Sequence, residues 1–403
     1  MKKNILNILL IALISIMVAG GCTEKELGNP LPSTVASFEI NTISNQGYAP
    51  FDVSFTNLSL NATGYTWDFG NGLTSTEENP TTHYETPGLY NVTLTCGSAN
   101  ELHYNELVKT LVLNAKDPLA GLTQVLYYTT RTAGPAGVFM VVLNDNAPIV
   151  QEFEPTEMIR PYGIAVDTGN SKVYVSDYSL GMIYRFDADG KNPLKILDKA
   201  TPGLETMLSE PEGIVVVQDK VYWGNPGGIY RANLDGTSPE LFIDTQGLPP
   251  EYPLDLDYDH LTDRLYLVND MDSYSGGYYS CKVDGSDMQT HLAGIDGTAL
   301  EVDPENGKAY LVVYAGNGTD IIDRGIYMCN IDGTSCSLIG DFGTKATWGI
   351  AIDHERGKLF WGYKMSNGEP DGKIIRSNLD GSQQEDWIIN INPVALDIGW
   401  VKL

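Results

Sequence analysis

The sequence predicts an all-β protein, a small β-sandwich followed by a six-bladed β-propeller closed by strands from both ends of the domain. Three observations carry this expectation. A turn built on Asp-Gly recurs as FDADG (186–190), NLDG (233–236), KVDG (282–285), NIDG (330–333) and NLDG (378–381), with Gly-to-Gly spacings of 46, 49, 48 and 48 residues. Asp-Gly favours tight hairpins, and a fixed period of this size marks a repeat architecture. Short Tyr-rich apolar runs precede each turn, and no helical stretch of about 10–15 residues lies between them, as a parallel α/β fold would need.

The elements follow in chain order. The first 21 residues, MKKNILNILLIALISIMVAGG, place Lys2 and Lys3 before an apolar run and small residues, the layout of an export signal. The run is short for a membrane span. AGGC at 19–22 resembles a bacterial lipoprotein processing site. The resemblance implies a lipid on Cys22, anchorage to the cell envelope at the outer membrane or cell surface, and a polar tether over 22–36. Ordinary secretion with cleavage nearby is the alternative. The 403 residues carry 52 acidic against 25 basic side chains, a net charge of -27. That excess argues against nucleic acid, whose phosphates need a positive surface, and leaves cations, glycans or proteins as partners.

Residues 37–115 carry the alternating runs ASFEI, FDVSFT, GYTWDFG, LYNVTLT and KTLVL, each bounded by Gly, Pro or Asn. Period-two alternation with such turns reads as a sandwich, with Trp67 in its core and Asn71-Gly72 closing a hairpin. The stretches APFDVSFTNLS (49–59), YTWDFGNG (65–72) and NPTTHYETPGLYNVTLT (79–95) resemble the polycystic kidney disease (PKD) type domain. That resemblance implies an immunoglobulin-like sandwich acting as an extracellular spacer or weak binder. KDPLAG (116–121) is read as a linker.

Within 122–403 each unit holds an opening strand (YGIAVD, EGIVVV, YPLDLD, TALEVD, WGIAID) and a second strand (KVYVSD, KVYWGN, RLYLVN, KAYLVV, KLFWGY). A sixth opener, NPVALD (392–397), has nothing after it, while TQVLYYTT, AGVFMVVLN and APIVQEFE near 123–154 supply its missing partners. A split sixth unit is what ring closure requires, because closure removes free sheet edges. The units resemble low-density-lipoprotein-receptor class B (YWTD) repeats, with YVSD (174–177) and YWGN (222–225) nearest the signature and Asp177 alone keeping its final Asp. The resemblance implies a six-bladed propeller in which that Asp is structural. Tyr174, Tyr222, Tyr266, Tyr310, Phe360 and Tyr127 share one strand position and are expected to pack between blades.

Residues just before the openers are expected to ring one mouth of the axial channel. They are Tyr162, Glu212, Tyr252, Thr298, Trp348 and Asn392, with Arg160, Glu210, Pro250, Asp296, Ala346 and Asn390 two places earlier. Aromatic anchors with a few polar groups suit a small ligand, peptide or sugar; the alternative is that the aromatics plug the channel. Glu210, Glu212 and Asp296 are candidate oxygen ligands for a divalent cation such as calcium, and no other cofactor is expected. Cys329 and Cys336 flank a turn in MCNIDGTSCS, and a disulfide between them is left open.

No catalytic residue is assigned. The five histidines are His83, His103, His260, His291 and His354, and none forms His-Glu-x-x-His; no Gly-x-Ser-x-Gly elbow or phosphate loop occurs. Three longer insertions, NDMDSYSGG (269–277), YAGNGTDIIDRG (314–325) and GYKMSNGEPDGK (362–373), lengthen one hairpin of successive units. The leading expectation is a cell-surface binding or adhesion lipoprotein for protein or glycan ligands. An exported propeller enzyme (lactonase, lyase or glycan hydrolase) using channel carboxylates is the second, and a structural envelope component the third.

Overall fold

The computed structural model describes residues 34–97, 107–130, 136–144, 146–245, 252–269, 276–316, 321, 323–341, 346–364 and 372–403. The export-signal, Cys22 and early-tether readings, Pro250, and most of the three insertions lie outside them. The chain divides into two compact units, one ending at Ala120 and the other beginning at Gly121. Among the described residues the regular structure is strand, apart from two 3-10 turns at Asn45–Gly47 and Pro304–Asn306.

The first unit builds two sheets. One orders Phe38–Ile43, Phe51–Asn57 and Thr81–Tyr84; the other orders Thr74–Ser75, Gly64–Asp68, Gly88–Gly97 and Leu107–Ala115. Alternation does what period two dictates: Phe51, Val53 and Phe55 are buried while Asp52 faces solvent. Trp67 is fully buried, and Phe38 meets it edge-on with ring centroids 5.0 Å apart. Its indole N–H donates to Glu77 O at 2.9 Å, so the ring is buried without an orphaned donor.

The described residues of the second unit form six four-stranded antiparallel sheets. Sheet 1 runs Pro161–Asp167, Lys172–Asp177, Met182–Asp187, Leu194–Asp198, and sheet 2 runs Ile214–Val217, Lys220–Asn225, Gly228–Asn233, Glu240–Asp244. Sheet 3 runs Pro253–Asp259, Arg264–Asn269, Gly277–Lys282, Gln289–Ala293, and sheet 4 runs Ile295–Asp303, Lys308–Gly316, Gly325–Asn330, Ser337–Asp341. Sheet 5 runs Ala346–Asp353, Lys358–Lys364, Gly372–Asn378, Glu385–Ile391. Sheet 6 joins the last strand, Pro393–Val401, to Thr123–Thr130, Gly137–Val142 and Val150–Glu152, with Leu396 opposite Tyr128. The first strands touch in a cycle, each meeting the next and sheet 6 meeting sheet 1.

The Asp-Gly repeat makes the outer hairpin of sheets 1 to 5. Gly190, Gly236, Gly285, Gly333 and Gly381 all sit at φ between +78° and +84°, which costs glycine nothing. The preceding Asp turns its Oδ1 onto the N–H two residues on, as Asp284 does with Ser286 N at 2.8 Å and Asp332 with Thr334 N at 3.0 Å. Between sheets lies the aromatic layer: Tyr127, Tyr174, Tyr222, Tyr266, Tyr310 and Phe360 are all at most 4% exposed. Tyr174 OH donates to Leu234 O and Tyr127 OH to Ala188 O, each in the next sheet of the ring. Cys329 and Cys336 are disulfide-bonded across the sheet 4 turn.

Candidate functional site

Strand register fixes which residues ring the axis. The second-strand residues Val175, Trp223, Leu267, Leu311, Trp361 and Tyr128 oppose Ile164, Ile214, Leu256, Leu300, Ile350 and Leu396. Two residues before these lies one tier: Tyr162, Glu212, Leu254, Thr298, Trp348 and Val394. Two residues earlier lies an outer tier of Arg160, Glu210, Tyr252, Asp296, Ala346 and Asn392. Tyr252 and Asn392 were expected in the inner tier and stand in the outer one, and Asn390, expected in the outer tier, lies in Glu385–Ile391, the fourth strand of sheet 5. The cause is local: period-two alternation reads the same after a slip of two residues, and neither opener has a Gly at the position of Gly163, Gly213 and Gly349 to fix it; the register bulge there is common to sheets 1, 3, 4, 5 and 6.

The inner tier fills the mouth. Tyr162, Glu212, Leu254, Thr298 and Val394 are at most 7% exposed, and Trp348 is half-buried. Tyr162 of sheet 1 meets Trp348 of sheet 5 edge-to-face at 6.0 Å, spanning the position of sheet 6, and lies 6.0 Å from Tyr178. Above them the Arg160 guanidinium lies 4.4 Å over the Tyr178 ring. Burial, and next the Glu210 carboxylate that the phenol hydrogen-bonds, push the Tyr178 hydroxyl above its ordinary value. Tyr252 is 41% exposed. The result is an aromatic floor with a rim that is partly open at Arg160 and Glu210, open at Tyr252 and closed at Asp296 and Asn392.

Inter-sheet hydrogen bonds hold that floor. Thr129 Oγ1 donates to Tyr162 O at 2.7 Å, and Ser176 Oγ donates to Glu212 O at 2.6 Å. The last residue of the second strand fixes the rim: Asp177 Oδ2 accepts from Ile159 N and Arg160 N, and Asn225 Oδ1 accepts from Glu210 N. Antiparallel order also places the end of each second strand beside the start of each opener, as Asp177 opposite Pro161 shows. The strand ends flanking the three insertions therefore lie at the mouth end of their sheets.

Below the floor, a cavity of about 20 Å³ is bounded by small residues such as Gly163, Gly213, Ala299 and Ala395, together with Asp255. That is room for one water. Farther along the openers come Asp257, Glu301 and Asp397, acids set in apolar alternation where sheets 1, 2 and 5 carry Ala165, Val215 and Ala351. Each is surrounded by protein yet keeps some surface toward the narrow axis. Their oxygens stitch one opener to the next: Asp255 Oδ2 accepts from Leu300 N at 3.1 Å, Asp257 Oδ2 from Val302 N at 2.6 Å, and Asp397 Oδ2 from Val166 N at 2.6 Å. Glu301 does the same for the Ile352 N–H. Burial pushes Asp255 up to about 8 and Asp397 up to about 7, and raises Asp257 and Glu301 as well. The sequence reading missed these four; the signal was an acid between two inward apolar residues.

Glu210, Glu212 and Asp296 are not brought together as a cation site. Two belong to sheet 2 and the third to sheet 4, with sheet 3 between them. Among the described residues the group whose ligand atoms lie within 4.8 Å of one another is Asp303, Glu305 and His354, at the opposite end of the sheets. Asp303 there serves its own turn, accepting from Asn306 N and Nδ2. His260 and His354 are half-exposed, as expected of turn residues.

A family model described as the PKD domain matches residues 31–111. Protein cueball of Drosophila simulans is 29% identical over 137 residues, and that of Drosophila sechellia 30% over 137 residues, each match covering 32% of this chain. The match spans about a fifth of the length of these curated relatives. A chain from the crystal structure of a nidogen/laminin complex superposes with a TM-score of 0.54 at 17% identity, covering 69% of this chain and 98% of that one. The chain thus carries a PKD domain and an all-β array with a propeller-like solved neighbour.

Proposed function

We propose that this chain is a cell-surface binding or adhesion lipoprotein, in which an immunoglobulin-like PKD spacer carries a six-bladed propeller whose mouth binds a glycan or a protein. On this reading the export signal is removed, Cys22 bears the lipid, and the envelope surface is the site of action. One observation carries the binding role: the floor of Tyr162 and Trp348 under a rim of Arg160, Tyr178 and Glu210, with its backbone clamped by Thr129, Ser176, Asp177 and Asn225. Rigid aromatics beside charged groups give contact area at low entropic cost, the composition of interface hot spots. The PKD match and the propeller-like neighbour support an extracellular binding type.

The enzymatic reading rests on the raised axial carboxyls, since a general acid needs such a shift. Their oxygens are engaged by strand backbone, and the adjoining cavity of about 20 Å³ admits no organic substrate. Binding on the rim is the better fit. The test is binding of the full-length chain to glycan and extracellular-matrix protein arrays, beside Trp348→Ala. A ligand retained by the parent and weakened at least about tenfold by the variant, roughly 1.4 kcal/mol, is the expected result. No response on either array, or equal binding by both chains, overturns the proposal.

A further inference from the structure

The repeat supplies its own control for a second site. At one register position on the third strand, sheets 1, 2 and 5 carry an arginine: Arg185, Arg231 and Arg376. In sheets 2 and 5 a glutamate stands directly opposite on the fourth strand. Arg231 Nε donates to Glu240 Oε1 at 2.7 Å, and Arg376 Nε donates to Glu385 Oε1 at 2.7 Å. An aromatic two residues on completes the clamp: Phe242 lies 4.6 Å from the Arg231 guanidinium and Trp387 5.9 Å from that of Arg376. Sheet 1 has neither part. Leu194, 48% exposed, stands opposite Arg185, and Ile196 takes the aromatic place.

Arg185 instead faces a pocket of about 510 Å³ between sheets 1 and 2, bounded among others by Lys172, Tyr174, Asp219 and Asp235. Its hydrogen bond to the backbone is a long one, Nη1 donating to Leu234 O at 3.4 Å. The guanidinium hydrogen-bonds the Tyr174 phenol and acts by charge on Asp187 and Asp235, but those carboxylates spend their hydrogen bonds elsewhere: Asp187 holds Lys172 and accepts from Asn192 Nδ2 at 2.7 Å, and Asp235 Oδ1 accepts from Thr237 N and Oγ1. A chain with 27 more acidic than basic side chains thus places, beside a pocket of about 510 Å³, a guanidinium that has leucine where sheets 2 and 5 have the cross-strand glutamate.

We infer that this pocket binds a small carboxylate whose neighbouring hydroxyls donate hydrogen bonds, the chemistry of an acidic monosaccharide, with Arg185 taking the carboxylate. Guanidinium and carboxylate pair through two parallel N–H···O bonds. Asp219 and Asp235 on the far wall accept from the hydroxyls and disfavour a bare dianion. The site lies at the Asp-Gly turn end of the sheets, away from the mouth, and does not depend on the mouth being functional.

The decisive variant is Leu194→Glu, which restores the sheet 2 and sheet 5 arrangement and competes with ligand for Arg185 while leaving the pocket-lining residues unchanged. Glucuronate is titrated into the full-length chain by calorimetry, beside glucose, glucuronate methyl ester, Leu194→Glu, Arg185→Gln and the mouth variant Trp348→Ala. The expected result is glucuronate binding, at least about tenfold weaker binding of both neutral sugars, the same loss in both sheet 1 variants, and no change in Trp348→Ala. Absence of glucuronate binding overturns the inference, as does full binding by Leu194→Glu at a thermal stability equal to the parent, or loss confined to Trp348→Ala.

Discussion

Asp397 lies where sheet 6, assembled from residues distant in sequence, meets sheet 1, and its charge makes ring stability depend on pH. Its Oδ2 accepts from Val166 N at 2.6 Å and its Oδ1 from Ile398 N at 2.7 Å. Burial nevertheless lifts the carboxyl from 3.8 to about 7, with the Asp257 charge acting in the same direction. Between those values the folded ring holds a proton that the unfolded chain has released, so stability falls as pH rises and levels off above about 7. The full displacement corresponds to about 4 kcal/mol, of which about 2 kcal/mol falls between roughly pH 5.5 and 8.5. Asp397→Asn cannot ionise; losing one acceptor costs it about 1–3 kcal/mol at every pH. Urea unfolding across that range, followed by tryptophan fluorescence, reads the second unit, which holds five of the six tryptophans. The parent should lose about 2 kcal/mol more than the variant from the acid to the alkaline end. Parallel pH profiles for the two proteins would refute the account.

Four further outcomes follow from the same geometry. Thr129→Val removes the hydroxyl that donates to Tyr162 O and accepts from Ala395 N at 3.2 Å, and should cost about 1–3 kcal/mol in denaturant unfolding while weakening mouth binding. Gly349→Ala, at φ +70° with an added Cβ 2.8 Å from Ala395 Cα, should destabilise by more than about 3 kcal/mol. Gly307→Ala, at φ +61° with nothing within 4 Å, should cost only about 1–2 kcal/mol, and equal thermal shifts would contradict the close approach. Deleting residues 393–403 leaves Thr123–Thr130 as an unpaired edge and should abolish a cooperative unfolding transition for the second unit, with aggregation seen by size exclusion.

The sheets were legible because each hairpin writes a local signature. Asp-Gly with an acceptor-hungry N–H two residues on is readable without tertiary information, and so is the Tyr-rich second strand. The axial positions were less so. Where Gly163, Gly213 or Gly349 marks the close approach, register could be read from the sequence; where Asp255 or Ala395 stands instead, the alternation gave the same pattern two residues away and the reading slipped by that amount. The cation reading joined Glu210 and Glu212 to Asp296 because a ring projected onto a line loses angular separation. The Arg185 pocket was not legible at all, since its meaning lies in the cross-strand partner that sheets 2 and 5 possess and sheet 1 lacks.

The pairing of Pro393–Val401 with Thr123–Thr130 has a consequence for biogenesis. A ribosome or a translocation pore delivers the chain from its N-terminus, so Thr123–Thr130 emerges about 270 residues before the strand that must cover it. Until residue 401 arrives the array is a slipway with one plank missing, open to proteases and chaperones. A product that ends before Pro393 never covers the Thr123–Thr130 edge, however completely its other sheets form.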